Sequence, residues 1–94
     1  MLLPLRIFKA VDRSMEPAVR SGEYLFVSTL SSIRPGDIVV AEHPAKPIKI
    51  VKRISAISDG KAYLLGDNKE ESEDSRTFGS IERKNIIGKV ILKI

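Results

Sequence analysis

Three short segments hold the residues that could do chemistry together. Ser14-Met15-Glu16-Pro17 offers a hydroxyl nucleophile, and Lys52-Arg53 offers an amine able to act as its base. Gly66-Asp67-Asn68, continuing through Ser72, Asp74, Ser75 and Arg76, offers a polar loop that could complete the constellation. A serine hydroxyl is a weak nucleophile until a neighbouring base takes its proton. Lysine can do the work usually given to histidine if its ammonium is destabilised. Other chemistries are poorly supplied. The chain has no cysteine, so it has no thiolate nucleophile, disulfide or cysteine-based metal site. Its single histidine, His43, is followed by Pro44 and reads as a strand-end or turn residue, and a histidine-cluster metal site is excluded. No metal or cofactor is expected.

The elements that must position these residues are strands. No long stretch keeps an apolar period of 3.6 residues. Strands are expected at 7–11, 24–27, 38–41, 48–57, 62–65 and 86–94. An irregular segment covers 14–21, with a turn at Pro17. Arg34-Pro35-Gly36-Asp37 is a turn, Asp59-Gly60 a tight hairpin, and Pro44 and Pro47 bracket another connection. Residues 66–80 read as a polar loop, and Gly88 inside the last strand suggests a bulge. Short strands at close spacing imply an all-β fold, a small coiled sheet or partial barrel. In the strand from Ile48, alternation puts Ile48, Ile50, Lys52 and Ile54 on one face, and Lys49, Val51, Arg53 and Ser55 on the other. A lysine among isoleucines loses solvation of its charged form, its pKa falls, and it becomes a usable base. The competing reading is an edge lysine that snorkels to water, or a bulge that resets the register. Ser14 taken alone is ordinary turn chemistry, and Asp74 with Arg76 could pair only to stiffen a loop.

The chain has 94 residues, 43% hydrophobic and 30% charged, which bounds it to one small domain. The net charge of +4 is spread along the chain and interrupted by Asp67, Glu70, Glu71, Glu73 and Asp74. A dispersed, solvated basic surface is therefore a better reading than a nucleic-acid footprint. The apolar start, Met1 to Lys9, is too short to span a bilayer and lacks the parts of a signal peptide. The expectation is a soluble, cytoplasmic domain over residues 1–94, membrane-associated only if an anchor has been trimmed away.

Taken in order, Ser14-Met15-Glu16-Pro17, Gly36-Asp37-Ile38-Val39-Val40, Val51-Lys52-Arg53 and Gly66 to Arg76 resemble the successive boxes of the signal peptidase I family. The last box is the most specific, and the resemblance covers most of the chain from Val11 to Val90. It implies that Ser14 is the acylating nucleophile and Lys52 its general base. It makes Ser72 the residue that orients the lysine and packs Met15 beneath the site. Asp67, Asp74 and Arg76 would hold the loop, the last two as an ion pair. The Ser14 backbone N–H would supply part of an oxyanion hole. Substrate would bind as an extended strand near Phe8 to Arg13, with small residues before the cut. The resemblance also marks departures. Asp12 stands two residues before the serine where the family usually has Gly or Ser, and an inward carboxylate there would oppose an oxyanion. Pro17-Ala18-Val19 replaces Pro-Thr-Leu. No membrane anchor or large inserted β-domain is expected.

The compact chain, with Glu42-His43-Pro44 and Ser75-Arg76-Thr77-Phe78-Gly79, is similar to the small nickel-type superoxide dismutase maturation proteases of the same superfamily. That similarity implies a precursor protein, bound through an extended N-terminal leader, as the partner. Two other readings stand beside it: a self-cleaving domain of the LexA type, and a non-catalytic β-module that captures peptides or nucleic acid.

Overall fold

An alternating strand with one apolar face is stable only when it pairs and that face is covered. The computed structural model, describing residues 4–94, shows how this chain meets both demands. Met1, Leu2 and Leu3 of the apolar start lie outside the described residues. The strands are β1 (Leu5–Lys9), β2 (Tyr24–Ser28), β3 (Ile38–Glu42), β4 (Lys49–Ser58), β5 (Lys61–Leu65), β6 (Ile81–Glu82) and β7 (Ile86–Lys93). They form one seven-stranded sheet in the order β1-β2-β7-β3-β4-β5-β6. Every pairing is antiparallel. The fold is all-β, a sheet curled into a half-barrel.

The run Ile38-Val39-Val40-Ala41 lies at the centre of the curled sheet. Its side chains serve two clusters, as expected for a central strand covered on both faces. Val39 and Ala41 join Ile50, Ile54, Leu64 and Ile81 in one cluster. Val40 joins Met15, Val19, Leu25 and Val27 in the other.

Two local features fix register. Asp59 (φ 52°) and Gly60 (φ 75°) both adopt positive φ, the mirror-image turn whose twist suits a two-residue hairpin, and Ser58 pairs with Lys61 across it. In β7 the register against β3 shifts, Val40 facing Gly88 while Ala41 faces Ile86, which leaves Ile87 as the extra residue of a bulge. Glycine is needed beside it because a Cβ at position 88 would run into the Ser28 carbonyl oxygen and lie 2.8 Å from Val27 Cγ1.

Beyond one-residue shifts at the ends of the other strands, three features differ from the sequence reading. β1 runs from Leu5 to Lys9 rather than 7–11, since pairing with β2 begins at Leu5↔Ser28 and ends at Lys9↔Tyr24. The chain then leaves the ladder at Ala10, whose N–H donates to the Glu23 carbonyl at 2.9 Å. The 66–80 loop contains a 3₁₀ turn at Lys69–Glu71 and a four-residue helix, α1 (Ser75–Phe78). β6 was not expected, because two residues are too short for periodicity to register; it pairs Ile81 with Ala62 and Glu82 with Lys61.

Candidate active site

Ser14 sits on the turn that follows Ala10. Met15 and Val19 pull this turn into the core, and the Val19 N–H donates to the Met15 carbonyl at 3.0 Å. Arg13 and Glu16 pair at its outer surface at 2.9 Å. Ser14 itself is 2% exposed, and its hydroxyl is the one buried side-chain polar atom without a hydrogen-bond partner among the described residues. Leaving a buried hydroxyl unpaired costs about 1–3 kcal/mol, so such an atom calls for a functional explanation. The backbone of Ser14 is fully engaged. Its N–H donates to Asp12 Oδ1 at 3.0 Å, and its carbonyl accepts from the Asn68 N–H at 2.8 Å. The exposed Asp12 therefore turns its carboxylate back onto the N–H that the family resemblance makes an oxyanion donor.

Lys52 lies on β4 opposite Val39, between the buried Ile50 and Ile54, and is 3% exposed. The strand is not an edge and the alternation holds through this residue, so neither the snorkelling nor the shifted-register alternative applies. Among the described residues it makes no ion pair. Burial pushes its ammonium below the ordinary lysine value, and the negative charge of Asp12, then of Asp74 and Glu73, opposes that fall without cancelling it. The lysine thus feels carboxylates from both the serine turn and the 66–76 loop.

That loop is organised around Asp74, which is fully buried. Its carboxylate accepts from the Gly66 N–H at 2.9 Å, the Ser72 hydroxyl at 3.0 Å and the Arg76 N–H at 3.1 Å. The Arg76 guanidinium adds a two-pronged contact at 2.9 and 2.8 Å. Burial alone would raise the Asp74 pKa; the guanidinium, the two backbone N–H groups and Ser72 outweigh it and hold the carboxyl well below the usual range. Asp74 also caps α1. The Ser72 hydroxyl, which the resemblance directs at Lys52, here donates to Asp74. Gly66 lets the two sides meet, since a Cβ there would overlap the Ser72 hydroxyl, lie 2.5 Å from Ser72 Cβ and sit 2.8 Å from the Ser14 carbonyl oxygen.

Asp67 is gripped by Arg53 through paired bonds of 2.9 and 2.8 Å, while the same guanidinium reaches the Gly36 carbonyl at 2.7 Å. The Asp67 N–H lies 3.4 Å from Met15 Sδ, tying the loop to the residue beneath the serine. Three contributors were not assigned a place in the site from sequence: Arg53, Gly66 as a close-approach residue, and His43. The imidazole Nδ1 of His43 accepts from the Ala45 and Lys46 N–H groups at 3.0 and 3.1 Å, which leaves Nε2–H to donate to Glu73 at 2.7 Å. It is a turn residue at the end of β3, as its position suggested, and it also clamps the loop. The thirty-residue separation of His43 and Glu73 has no local signature that sequence could offer.

Beside Ser14 opens a cleft of about 50 Å³, floored by Ala10, Met15, Val19, Val40 and Val51. Among the described residues no helix is long and apolar enough to cross a membrane. No cluster of His, Asp or Glu among them could hold a metal ion.

Known proteins resemble this chain in sequence. Mitochondrial inner membrane protease subunit 1 of Xenopus tropicalis is 32% identical over 86% of this chain and 64% of its own length. The signal peptidase complex catalytic subunit SEC11 of Colletotrichum graminicola is 34% identical over 97% of this chain and 59% of its own length. Signal peptidase I V of Bacillus subtilis is 38% identical over 67% of this chain and 36% of its own length. The chain therefore spans less than two thirds of these relatives. The family described as Peptidase S24-like matches residues 4–91, from the residue before β1 to the middle of β7, so that the serine turn, the lysine strand and the clamping loop all fall within one continuous match and the chain belongs to the Peptidase S24-like family.

Proposed function

We propose that this chain is a catalytic domain of a serine endopeptidase that removes an N-terminal leader from a precursor protein, using Ser14 as nucleophile and Lys52 as general base. The observations that carry the reading are a buried serine hydroxyl without a partner among the described residues and a buried lysine whose ammonium is destabilised and which feels the charge of Asp12 on the serine turn. The names of its relatives, a mitochondrial inner membrane protease subunit and signal peptidases, support the same class of reaction.

In the proposed mechanism, Ser14 Oγ attacks the scissile carbonyl carbon while its proton passes to the neutral Lys52 amine. The tetrahedral oxyanion is met by the Ser14 N–H. Collapse breaks the C–N bond, and Lys52 hands the proton to the leaving amine. Water, deprotonated by the same lysine, attacks the acyl ester; the C–Oγ bond breaks, Lys52 returns the proton to Ser14 Oγ, and the new carboxylate leaves. Ser72 orients Lys52, Met15 supports the serine turn, and Asp67, Asp74 and Arg76 keep the loop in place. The cleft beside Ser14 takes the small side chain before the cut, and the leader pairs as a strand along residues 8–13.

For the substrate we propose a nickel superoxide dismutase precursor, on the strength of Glu42-His43-Pro44 and Ser75 to Gly79. Co-expression of this precursor with the wild-type chain or with Ser14→Ala, read by intact mass, tests both parts. Leader loss that requires Ser14 supports nucleophile and substrate together. Ser14-dependent cleavage of a secretory leader peptide alone rejects the narrow substrate, and turnover by the Ser14→Ala or Lys52→Ala protein rejects the mechanism.

A further inference from the structure

The contact between Asp12 and the Ser14 N–H has no part in the mechanism above and works against it. An oxyanion hole stabilises a developing negative charge because its donors point at an empty position and need no rearrangement during reaction. Here the donor on the nucleophile already serves a carboxylate, at 3.0 Å. A carboxylate oxygen is the nearest chemical likeness of a tetrahedral oxyanion that a protein side chain can offer. We propose that Asp12 is a built-in occupant of the oxyanion position, which holds the Ser14 N–H in the free protein and must release it before a scissile carbonyl can be polarised there. The proposal rests on the reading of Ser14 as nucleophile.

Three further observations support it. The Ser14 hydroxyl has no partner among the described residues, so in this state it is bonded to no base. Asp12 is exposed on a segment that has left the β1 ladder, with Val11 beside it 79% exposed, so the carboxylate can swing out without unpacking the core. Asp12 also lines the cleft where the substrate strand is proposed to lie, together with Lys9 of β1 and Lys49 of β4. A chain pairing along residues 8–13 enters next to Asp12, whose charge is felt by Lys52 on β4. Substrate binding and release of the N–H are thereby coupled: the leader that fills the cleft displaces the internal anion.

The test compares the wild-type chain with Asp12→Ala and Asp12→Asn, and Ser14→Ala as control. The probe is a leader peptide ending in an aldehyde, whose adduct with a serine carries an oxyanion. Asp12→Ala should bind this aldehyde about tenfold more tightly and raise kcat/KM for peptide cleavage by a similar factor, mainly through a lower KM because the anion is displaced on binding; tenfold corresponds to about 1.4 kcal/mol, the order of one charge-assisted hydrogen bond. Asp12→Asn should fall between, because a neutral amide oxygen still accepts from the Ser14 N–H but more weakly. Ser14-dependent adducts of equal or lower affinity in Asp12→Ala overturn the proposal and leave the nucleophile in place. No Ser14-dependent adduct in any of these proteins overturns the nucleophile, and the proposal with it.

Discussion

Replacing Asp74 by alanine is expected to cost about 3 kcal/mol, and the structure says which contacts supply that figure. The Gly66 N–H is buried and has only this carboxylate, so losing it leaves an orphaned donor at about 1–3 kcal/mol. Loss of the α1 cap adds about 1 kcal/mol. The guanidinium contributes least, because the Arg76 side chain is 42% exposed and regains water; an exposed pair is worth about 0–1 kcal/mol. For a domain of this size the total lowers Tm by roughly 12–24 °C. Arg76→Ala should cost about 1 kcal/mol, since Asp74 keeps the Gly66, Arg76 and Ser72 donors. Urea denaturation and thermal melts of both variants measure this order. The acid limb gives a second check. The folded Asp74 carboxyl is held below its ordinary value of 3.8, so its contribution is complete above that pH and is lost as pH falls below it. The stability gap between wild type and Asp74→Asn should therefore narrow on acidification below about pH 3.8. A loss under 1 kcal/mol for Asp74→Ala, or Arg76→Ala costing as much, would refute the claim that this carboxylate, through its buried acceptor role, holds the loop.

Other outcomes follow from the same geometry. Lys52→Met should be more stable than wild type at neutral pH, because the folded protein no longer hosts a disfavoured ammonium; the folded lysine pKa lies below 10.5, so the gap should shrink as pH rises toward that value, read from denaturation midpoints across pH. Ser14→Ala should be neutral or more stable by up to about 1 kcal/mol while losing cleavage, since the hydroxyl it removes has no partner among the described residues. Gly66→Ala should lose about 1–3 kcal/mol by overpacking and impair turnover, because its Cβ would displace Ser72 and press on the Ser14 carbonyl, checked by melts and peptide cleavage side by side.

Alternation and turn chemistry were enough to read six of the seven strands, the Asp59-Gly60 hairpin and the Gly88 bulge, because each depends on residues within a few positions of one another. The same local rule placed Lys52 between Ile50 and Ile54 on one face. It could not say whether that face was buried, and the answer came from β3 and β5 flanking β4 and closing over it. Asp74 and Arg76 are two residues apart, so their pairing was legible. The Gly66 and Ser72 donors that complete the cluster were not, since the loop has to fold back before they converge. Asp12 marks the boundary between the two kinds of information. Its type and its place two residues before the serine were plain in sequence, and so was the conflict they imply. The contact itself spans two residues and is one that Asp makes locally, but that the Ser14 hydroxyl beside it is buried depended on the path of the chain as it leaves β1 at Ala10, a matter of pairing with Glu23 and Gly22 that no local pattern records.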